Sequence, residues 1–335
     1  MLSAAAKASA RSIVARNAAR RAAVTPIRAF GVTSRRLGGA KVDLSASPIA
    51  PLGIEAAIEA EKDPNFKPTP KIFDEFALND RVAVVSGGNR GLGLEMGLAL
   101  AEAGARAVYC LDLAKEASEE FQACKDYVAK LGNGSRLEYV SADVRDQKSM
   151  WEKVEKIADK EGRMDIGVAA AGILKNHTDC LTYPAEQFQE VMDVNTNGVL
   201  YTAQAIGRQI ERFGNAGSLV LVASMSGSIT NRDHAWVSYN TSKSAVLQMA
   251  RSMACELGPK NIRVNTLSPG HIYTTMTAAY LDKQPHLREK WSSSNPLGRL
   301  GRPNELRGVV TWLASDASSF CTGSDILVSG GHHAW

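Results

Sequence analysis

The feature that most constrains the fold is a regular alternation of short apolar segments with amphipathic segments from residue 81 onward. Strands joined through helices pair in the same direction, and the helices cover both faces of the sheet. The sequence therefore predicts an α/β fold, a doubly wound parallel seven-stranded sheet with helices on both faces. The predicted strands are 81–85, 107–111, 136–140, 166–169, 218–223, 262–266 and 325–328, and the predicted helices are 92–103, 116–131, 150–160, 186–212 and 238–257.

Residues 1–42 differ from the rest of the chain in charge. They hold nine Lys or Arg and no Asp or Glu, so the remaining chain has 30 basic against 35 acidic side chains. A basic, acid-free start rich in Ala and Ser is typical of a mitochondrial transit peptide, and it predicts a location in the mitochondrial matrix. The alternative is a disordered basic arm. The acidic remainder predicts no nucleic-acid partner.

Residues 43–78 form the second predicted region, an extended arm that contains five prolines. Residues 79–335 are expected to form one domain that carries the function. No apolar run reaches the roughly 18–20 residues of a membrane span. The five cysteines are scattered without a C-x-x-C pair, so neither a disulfide framework nor a metal site is predicted.

A glycine-rich turn follows the first predicted strand and opens the first predicted helix. Glycines allow a tight turn and a close approach of the backbone to a pyrophosphate, and the helix N-terminus supplies free N–H groups. The turn therefore predicts a dinucleotide site. Its candidate cofactor-binding residues are Gly87, Asn89, Arg90, Gly91, Leu92 and Gly93.

Acidic residues end the next two predicted strands. Asp112 can accept hydrogen bonds from the adenosine ribose and would repel a 2′-phosphate, which favours NAD over NADP. Arg90 favours NADP instead, because a guanidinium in the glycine turn can hold the 2′-phosphate. Asp143 and Val144, after the third strand, are candidates for contacts with the adenine.

Tyr239 and Lys243 lie four residues apart in a predicted helix, so they share one face of it. A free phenol has a pKa of about 10, and a neighbouring ammonium favours the phenolate. The pair therefore predicts a general base for oxidation of an alcohol, and the same phenol is the acid in the reverse reaction.

Six ordered landmarks give the chain a resemblance to the short-chain dehydrogenases/reductases, from about residue 76 to residue 331. The resemblance implies a Rossmann-type single domain, NAD(P)-linked interconversion of a secondary alcohol and a ketone, no metal, and a homotetramer. The landmarks are the glycine turn, Ala170-Ala171-Gly172, Asn195, Ser224, the Tyr239/Lys243 pair and Pro269-Gly270.

The resemblance also implies roles for single residues. Ser224 would hold the substrate oxygen, and Asn195 would anchor a water that links Lys243 to solvent. Lys243 would also bind the nicotinamide ribose. Ser226 is the alternative catalytic serine, because its spacing to Tyr239 is the commoner one. The remaining implied cofactor contacts are Ala171, Gly172, Tyr239, Pro269, Gly270, Ile272 and Thr274.

Several short segments resemble the fungal polyol dehydrogenases and ketose reductases in particular, which implies a sugar alcohol and its 2-keto sugar as substrates. Residues 275–291 are expected to form a lid over that substrate. One alternative is a mitochondrial 3-oxoacyl-carrier-protein reductase; another is a non-catalytic Rossmann scaffold in a mitochondrial assembly. The segments are Ser224-Met225-Ser226-Gly227, Asn231, Tyr239-Asn240 and Gly330-Gly331-His332-His333-Ala334-Trp335.

Overall fold

A computed structural model describes residues 52–175, 178–274, 277–278, 281–282 and 285–335. The predicted targeting segment and residues 43–51 of the predicted arm lie outside the described residues, as does part of the predicted lid. All described residues belong to one unit, Ile49–Trp335.

Seven strands form one sheet, and every pairing in it is parallel. The spatial order is β3-β2-β1-β4-β5-β6-β7, which confirms the predicted doubly wound, Rossmann-type α/β class. The strands are β1 (Val82–Ser86), β2 (Ala107–Asp112), β3 (Arg136–Ser141), β4 (Ile166–Ala169), β5 (Gly217–Val222), β6 (Ile262–Pro269) and β7 (Asp325–Val328).

The helices cover two apolar cores, one on each face of the sheet. Side chains along β1 alternate between the faces: Val82 and Val84 join one core, Ala83 and Val85 the other. The helices are α1 (Gly53–Lys62), α2 (Gly91–Glu102), α3 (Glu119–Lys130), α4 (Gln147–Glu161), α5 (Ala185–Met192), α6 (Gly198–Phe213), α7 (Val237–Leu257), α8 (Pro285–Ser293) and α9 (Arg307–Ala314).

The strand order places a crevice between β1 and β4. These strands are neighbours although β2 and β3 come between them in the chain. Successive crossovers diverge from this point, and ligands of doubly wound sheets bind at such a crevice, beyond the carboxyl ends of the strands. Ser86 pairs with Ala169 at that edge. The glycine turn and the loop after β4 therefore lie side by side.

The predicted helix over 186–212 is interrupted. A π-helical turn, Asp193–Asn197, separates α5 from α6. The turn carries Asn195, whose side chain binds the backbone of the loop after β4 instead of facing solvent. A helical pattern in the sequence gives no sign of a bond to such a distant segment, so the interruption was not predicted.

The predicted extended arm is partly helical, which corrects that prediction for α1. The α1 segment Gly53–Lys62 is rich in Ala and Glu, which are strong helix formers. It has no buried residue, and 79% of Ile54 is exposed. Among the described residues, no helix combines the length and the apolar character needed to cross a bilayer.

Candidate active site

The glycine turn between β1 and α2 is packed too closely for side chains. Gly87 and Gly91 have φ values of 70° and 58°, which favour glycine. A Cβ added to Gly93 would lie 2.1 Å from the Gly87 carbonyl oxygen, and one added to Gly87 would lie 2.8 Å from the Ala171 backbone. The turn thus leaves bare backbone and the N-terminus of α2 beside the crevice. This arrangement fits the pyrophosphate of a dinucleotide.

The other residues of the turn differ in exposure. Arg90 is exposed and Leu92 is half-buried against the core on that face. Asn89 is buried, and its side chain is engaged within the protein. It accepts a hydrogen bond from the Ser118 N–H (2.8 Å) and donates one to the Glu116 carbonyl (3.4 Å). Asn89 therefore joins the turn to the loop after β2.

Asp112, at the end of β2, lies beside the same turn. One of its carboxylate oxygens accepts a hydrogen bond from the Asn89 N–H (3.1 Å) and the other accepts from the Leu113 N–H (2.8 Å). Each carboxylate oxygen can accept a further hydrogen bond. A ribose in the crevice would meet this carboxylate at the place that the sequence predicts.

Asp143 and Val144 follow β3 along the same edge of the sheet. The Arg145 side chain binds the Asp143 carboxylate through two atoms, at 2.9 and 2.7 Å, and it lowers the pKa of that carboxyl. Val144 is buried and packs on Gly198, where an added Cβ would lie 2.7 Å from Val144 Cγ2. The edge that the sequence assigns to the adenine thus holds an ion pair and an apolar side chain.

Tyr239 and Lys243 lie one turn apart on α7. The Lys243 Nζ is 5.7 Å from the centre of the Tyr239 ring and donates a hydrogen bond to the Val222 carbonyl at 2.8 Å. Burial lowers the pKa of Lys243 to about 8. This value still lies above neutral pH, so Lys243 is a buried cation beside the phenol.

Asn195 and Gly172 border the Lys243 amine. Asn195 is fully buried, accepts a hydrogen bond from the Ile173 N–H (2.8 Å) and donates to the Ile173 carbonyl (2.9 Å). A Cβ added to Gly172 would lie 3.4 Å from Asn195 Oδ1 and 3.6 Å from Lys243 Nζ. Gly172 therefore lies close to the amine, and Asn195 fixes the loop that carries Gly172.

Burial raises the pKa of the Tyr239 phenol, and the neighbouring Ser224 side chain opposes that shift only in part. The expected lowering by Lys243 is therefore not present in the protein alone. The physical reason is that desolvation of a phenolate costs more free energy than the neighbouring polar groups return.

Ser226, the alternative catalytic serine, has a different environment. Its hydroxyl accepts a hydrogen bond from Asn231 Nδ2 at 2.7 Å, and its N–H donates to Ser224 Oγ at 3.2 Å. Both serines are buried, but Ser224 is the one whose side chain lowers the pKa of the Tyr239 phenol. The structure therefore favours Ser224 for contact with a substrate oxygen.

We expect Ser224→Ala to lower kcat by about 100-fold, because one preorganised hydrogen-bond donor at a reacting oxygen contributes roughly that factor. Ser226→Ala is the matched control: it removes one hydroxyl from the same turn and should change kcat by less than about threefold. Steady-state kinetics of both variants decide between the two serines. A large loss in Ser226→Ala alone would reverse the assignment.

The loop after β6 closes the other side of the site. The Pro269 carbonyl lies 3.5 Å from Ser224 Oγ, and a Cβ added to Gly270 would lie 2.6 Å from Ser329 Cα. Ile272 is buried, and the Thr274 N–H donates to Thr277 Oγ1 at 2.7 Å. Of the predicted cofactor residues in this segment, Pro269 thus lies next to Ser224.

A group of aromatic and imidazole side chains lies beside Tyr239 and was not predicted from the sequence. Trp236 contacts the Tyr239 ring edge to face, with 6.4 Å between ring centres, and His234 packs on Trp236. His234 and Trp236 precede a helix in a polar stretch, which gave no periodic signal. Among the described residues no group of side chains is arranged to hold a metal ion.

The arrangement provides the groups that alcohol oxidation requires. Ser224 can hold the substrate oxygen, Tyr239 can take its proton, and Lys243 can stabilise the phenolate form of Tyr239 that accepts this proton. A nicotinamide cofactor, which the glycine turn, Asp112 and Gly172 fit, supplies the hydride acceptor when it is bound.

Comparison with known proteins gives relatives along most of the chain. A family model described as enoyl-(acyl carrier protein) reductase matches residues 87–333. Sorbose reductase of Schizosaccharomyces pombe is 37% identical over 260 residues, 77% of this chain and 97% of that protein. A ribulose-forming D-arabinitol 2-dehydrogenase of Scheffersomyces stipitis is 34% identical over 272 residues, 79% and 98% of the two chains.

A further relative carries its cofactor in its name. NADP-dependent mannitol dehydrogenase of Hypocrea jecorina is 34% identical over 266 residues, 78% of this chain and 96% of that protein. The crystal structure of a protein named gox2181 superposes with a TM-score of 0.73 at 37% identity, covering 79% of this chain and 100% of that one. The chain is a member of the short-chain dehydrogenase/reductase family, and it is an oxidoreductase.

Proposed function

We propose that this protein interconverts a sugar alcohol and its 2-keto sugar with a nicotinamide cofactor. The observation that carries the proposal is the placement of Ser224, Tyr239 and Lys243 together, at the crevice where the glycine turn and Gly172 meet. In oxidation, Ser224 holds the hydroxyl oxygen of the substrate and Tyr239 accepts its proton. In reduction, the same phenol returns a proton to the oxygen of the ketone.

The named relatives support a polyol substrate. They include reductases and dehydrogenases of sorbose, arabinitol and mannitol. A 3-oxoacyl-carrier-protein reductase would instead need basic groups for an acidic carrier. A non-catalytic scaffold would not need a buried lysine beside a buried phenol.

Asp112 supports NAD as the preferred cofactor. Its carboxylate lies beside the turn, where it would repel a 2′-phosphate. Two observations favour NADP instead: the exposed guanidinium of Arg90 and the NADP-dependent mannitol dehydrogenase among the relatives. We propose NAD, because the Asp112 carboxylate is fixed by two backbone N–H groups and cannot turn away without breaking both bonds.

The test is a panel of polyols with four to six carbons, each assayed with NAD and with NADP, and the matching ketoses with the reduced cofactors. We expect turnover of at least one polyol, and a kcat/KM at least about tenfold higher with NAD, which corresponds to roughly 1.4 kcal/mol of discrimination. No turnover with any polyol or ketose would overturn the proposed substrate class. A preference for NADP would overturn the role of Asp112 alone.

Two further proposals concern the whole protein. Residues 1–42 direct the chain to the mitochondrial matrix, which the basic, acid-free composition supports. A fluorescent reporter carrying these residues should enter mitochondria, and a diffuse cytosolic signal would contradict the proposed targeting. The protein forms a homotetramer, as the family resemblance implies; light scattering of the purified protein measures this.

A further inference from the structure

Five side chains from four separate segments form a cluster beside Tyr239, which we name the His/Trp cluster. His271 stacks on Trp291 with ring centres 4.2 Å apart and an interplanar angle of 8°, and His332 contacts His271 edge to face at 5.1 Å. The members are His234 and Trp236 before α7, His271 after β6, Trp291 on α8 and His332 after β7.

The cluster adjoins the reacting groups from the β6 side. Trp236 contacts the Tyr239 ring, and His271 follows two residues after Pro269, whose carbonyl is 3.5 Å from Ser224 Oγ. The cofactor elements approach from the other side, through the glycine turn, Gly172 and Lys243. A substrate held between Ser224 and Tyr239 would therefore extend its remaining carbons towards the cluster.

Two members are already committed to internal hydrogen bonds. His234 Nδ1 lies 2.7 Å from the Arg232 carbonyl, so it carries the proton, and His234 Nε2 accepts from Trp291 Nε1 at 3.1 Å. His234 is therefore a neutral imidazole that fixes the position of Trp291. Trp291 is buried, and its ring stacks on one face of the His271 ring.

The other two imidazoles keep hydrogen-bonding capacity. His332 Nδ1 lies 2.9 Å from Asn295 Oδ1, and Asn295 Nδ2 binds the Arg299 carbonyl at 2.7 Å. His332 Nδ1 must then be the donor, which leaves Nε2 as an acceptor. Within the described part of the chain, His271 makes ring contacts but no hydrogen bond through either ring nitrogen.

Burial keeps these rings neutral. It lowers the pKa of His271 to about 3, with His332 and His234 adding to the effect, and it also lowers the pKa of His332. A neutral imidazole offers one N–H donor and one bare nitrogen acceptor. A hydroxyl group also donates and accepts, whereas a carboxylate only accepts and would prefer a cation. The nearby Asp233 and Lys290 form an ion pair with each other at 2.6 Å.

We propose that His271 and His332 bind hydroxyl groups of the substrate on carbons remote from the one that is oxidised, with Trp291 as their support. This inference rests on the proposed polyol function and adds the residues that select a polyhydroxylated chain. The pair is a specificity element: it binds substrate and transition state alike, so its loss raises KM and leaves kcat in place.

His271→Phe tests the proposal, because phenylalanine keeps a flat ring on Trp291 and removes both nitrogens. A neutral hydrogen bond contributes about 1 kcal/mol, or roughly fivefold in affinity. With the best polyol of the panel, we expect KM to rise about 5- to 20-fold, while kcat and the KM of the cofactor stay within about twofold. Tyr127→Phe is the control: it removes one polar atom from an exposed ring on α3, outside the cluster, and should leave all three constants unchanged.

His332→Phe provides a second variant in a different segment, and it should raise the same KM about fivefold. If thermal unfolding shows that His271→Phe does not fold, His332→Phe alone tests the proposal. An unchanged KM for the polyol in a folded His271→Phe or His332→Phe would overturn the inference, as would an equal loss of kcat and of cofactor affinity. If the unmodified enzyme oxidises no polyol, the proposed function itself is wrong. If it oxidises a polyol and the variants have an unchanged KM, only the role of His271 and His332 is wrong.

Discussion

Replacing Tyr239 with phenylalanine should lower kcat by at least about 1,000-fold, in both directions of the reaction. Tyr239 supplies the proton acceptor in oxidation and the donor in reduction, and a positioned acid or base contributes about 10²–10⁴ in rate. The phenyl ring keeps the packing of the phenol against Trp236. Cofactor binding, measured by quenching of tryptophan fluorescence, should remain within about threefold, because the glycine turn is unaltered.

Tyr183→Phe is the matched control for this substitution. Its hydroxyl lies 2.7 Å from Ser238 Oγ, one residue before Tyr239 in α7, so the change removes a phenol oxygen from the same region. It should lower the free energy of unfolding slightly, because this hydrogen bond is lost, and it should change kcat by less than about threefold. Retention of more than about a tenth of the activity in Tyr239→Phe would contradict the assignment of Tyr239 as general acid and base.

The sheet and the positions of its ligand-binding edge could be predicted from the sequence. Most of these parallel strands are buried apolar runs, and glycine or a polar residue stands at or just after the carboxyl end of several of them, such as β1 and β2. For this reason the glycine turn, Asp112 and Ser224 could be placed at one edge before any coordinates were known. The spacing of Tyr239 and Lys243 likewise required only helical geometry.

Apart from α1, whose Ala- and Glu-rich sequence is a local signal, the features that escaped prediction depend on contacts between distant segments. The π-helical turn at Asn195 exists because the amide of Asn195 binds the Ile173 backbone, 22 residues away in the chain. The His/Trp cluster joins residues between positions 234 and 332, none of which belongs to a periodic pattern. The raised pKa of Tyr239 reflects burial, and spacing along a helix carries no information about desolvation.

The ionisation of Tyr239 yields the second prediction with a large effect. In the protein alone, burial disfavours the phenolate, so the pKa lies above its ordinary value of about 10. Oxidation near neutral pH needs a lower pKa. The Lys243 cation is in place 5.7 Å from the ring centre, and the positive nicotinamide ring is the further charge that the chemistry supplies. Opposite charge within about 4–6 Å lowers the pKa of an acid by one to three units.

The most direct measurement is therefore a pH titration of phenolate absorbance in the unmodified protein, corrected by subtraction of Tyr239→Phe, with and without oxidised cofactor. We predict a pKa above about 10 without cofactor and a decrease of about one to three units when it is bound. Lys243→Met, which removes the cation, should raise the pKa both with and without cofactor. A phenolate pKa that is the same with and without cofactor, in a protein that oxidises its substrate, would contradict the account of Tyr239 as the proton acceptor.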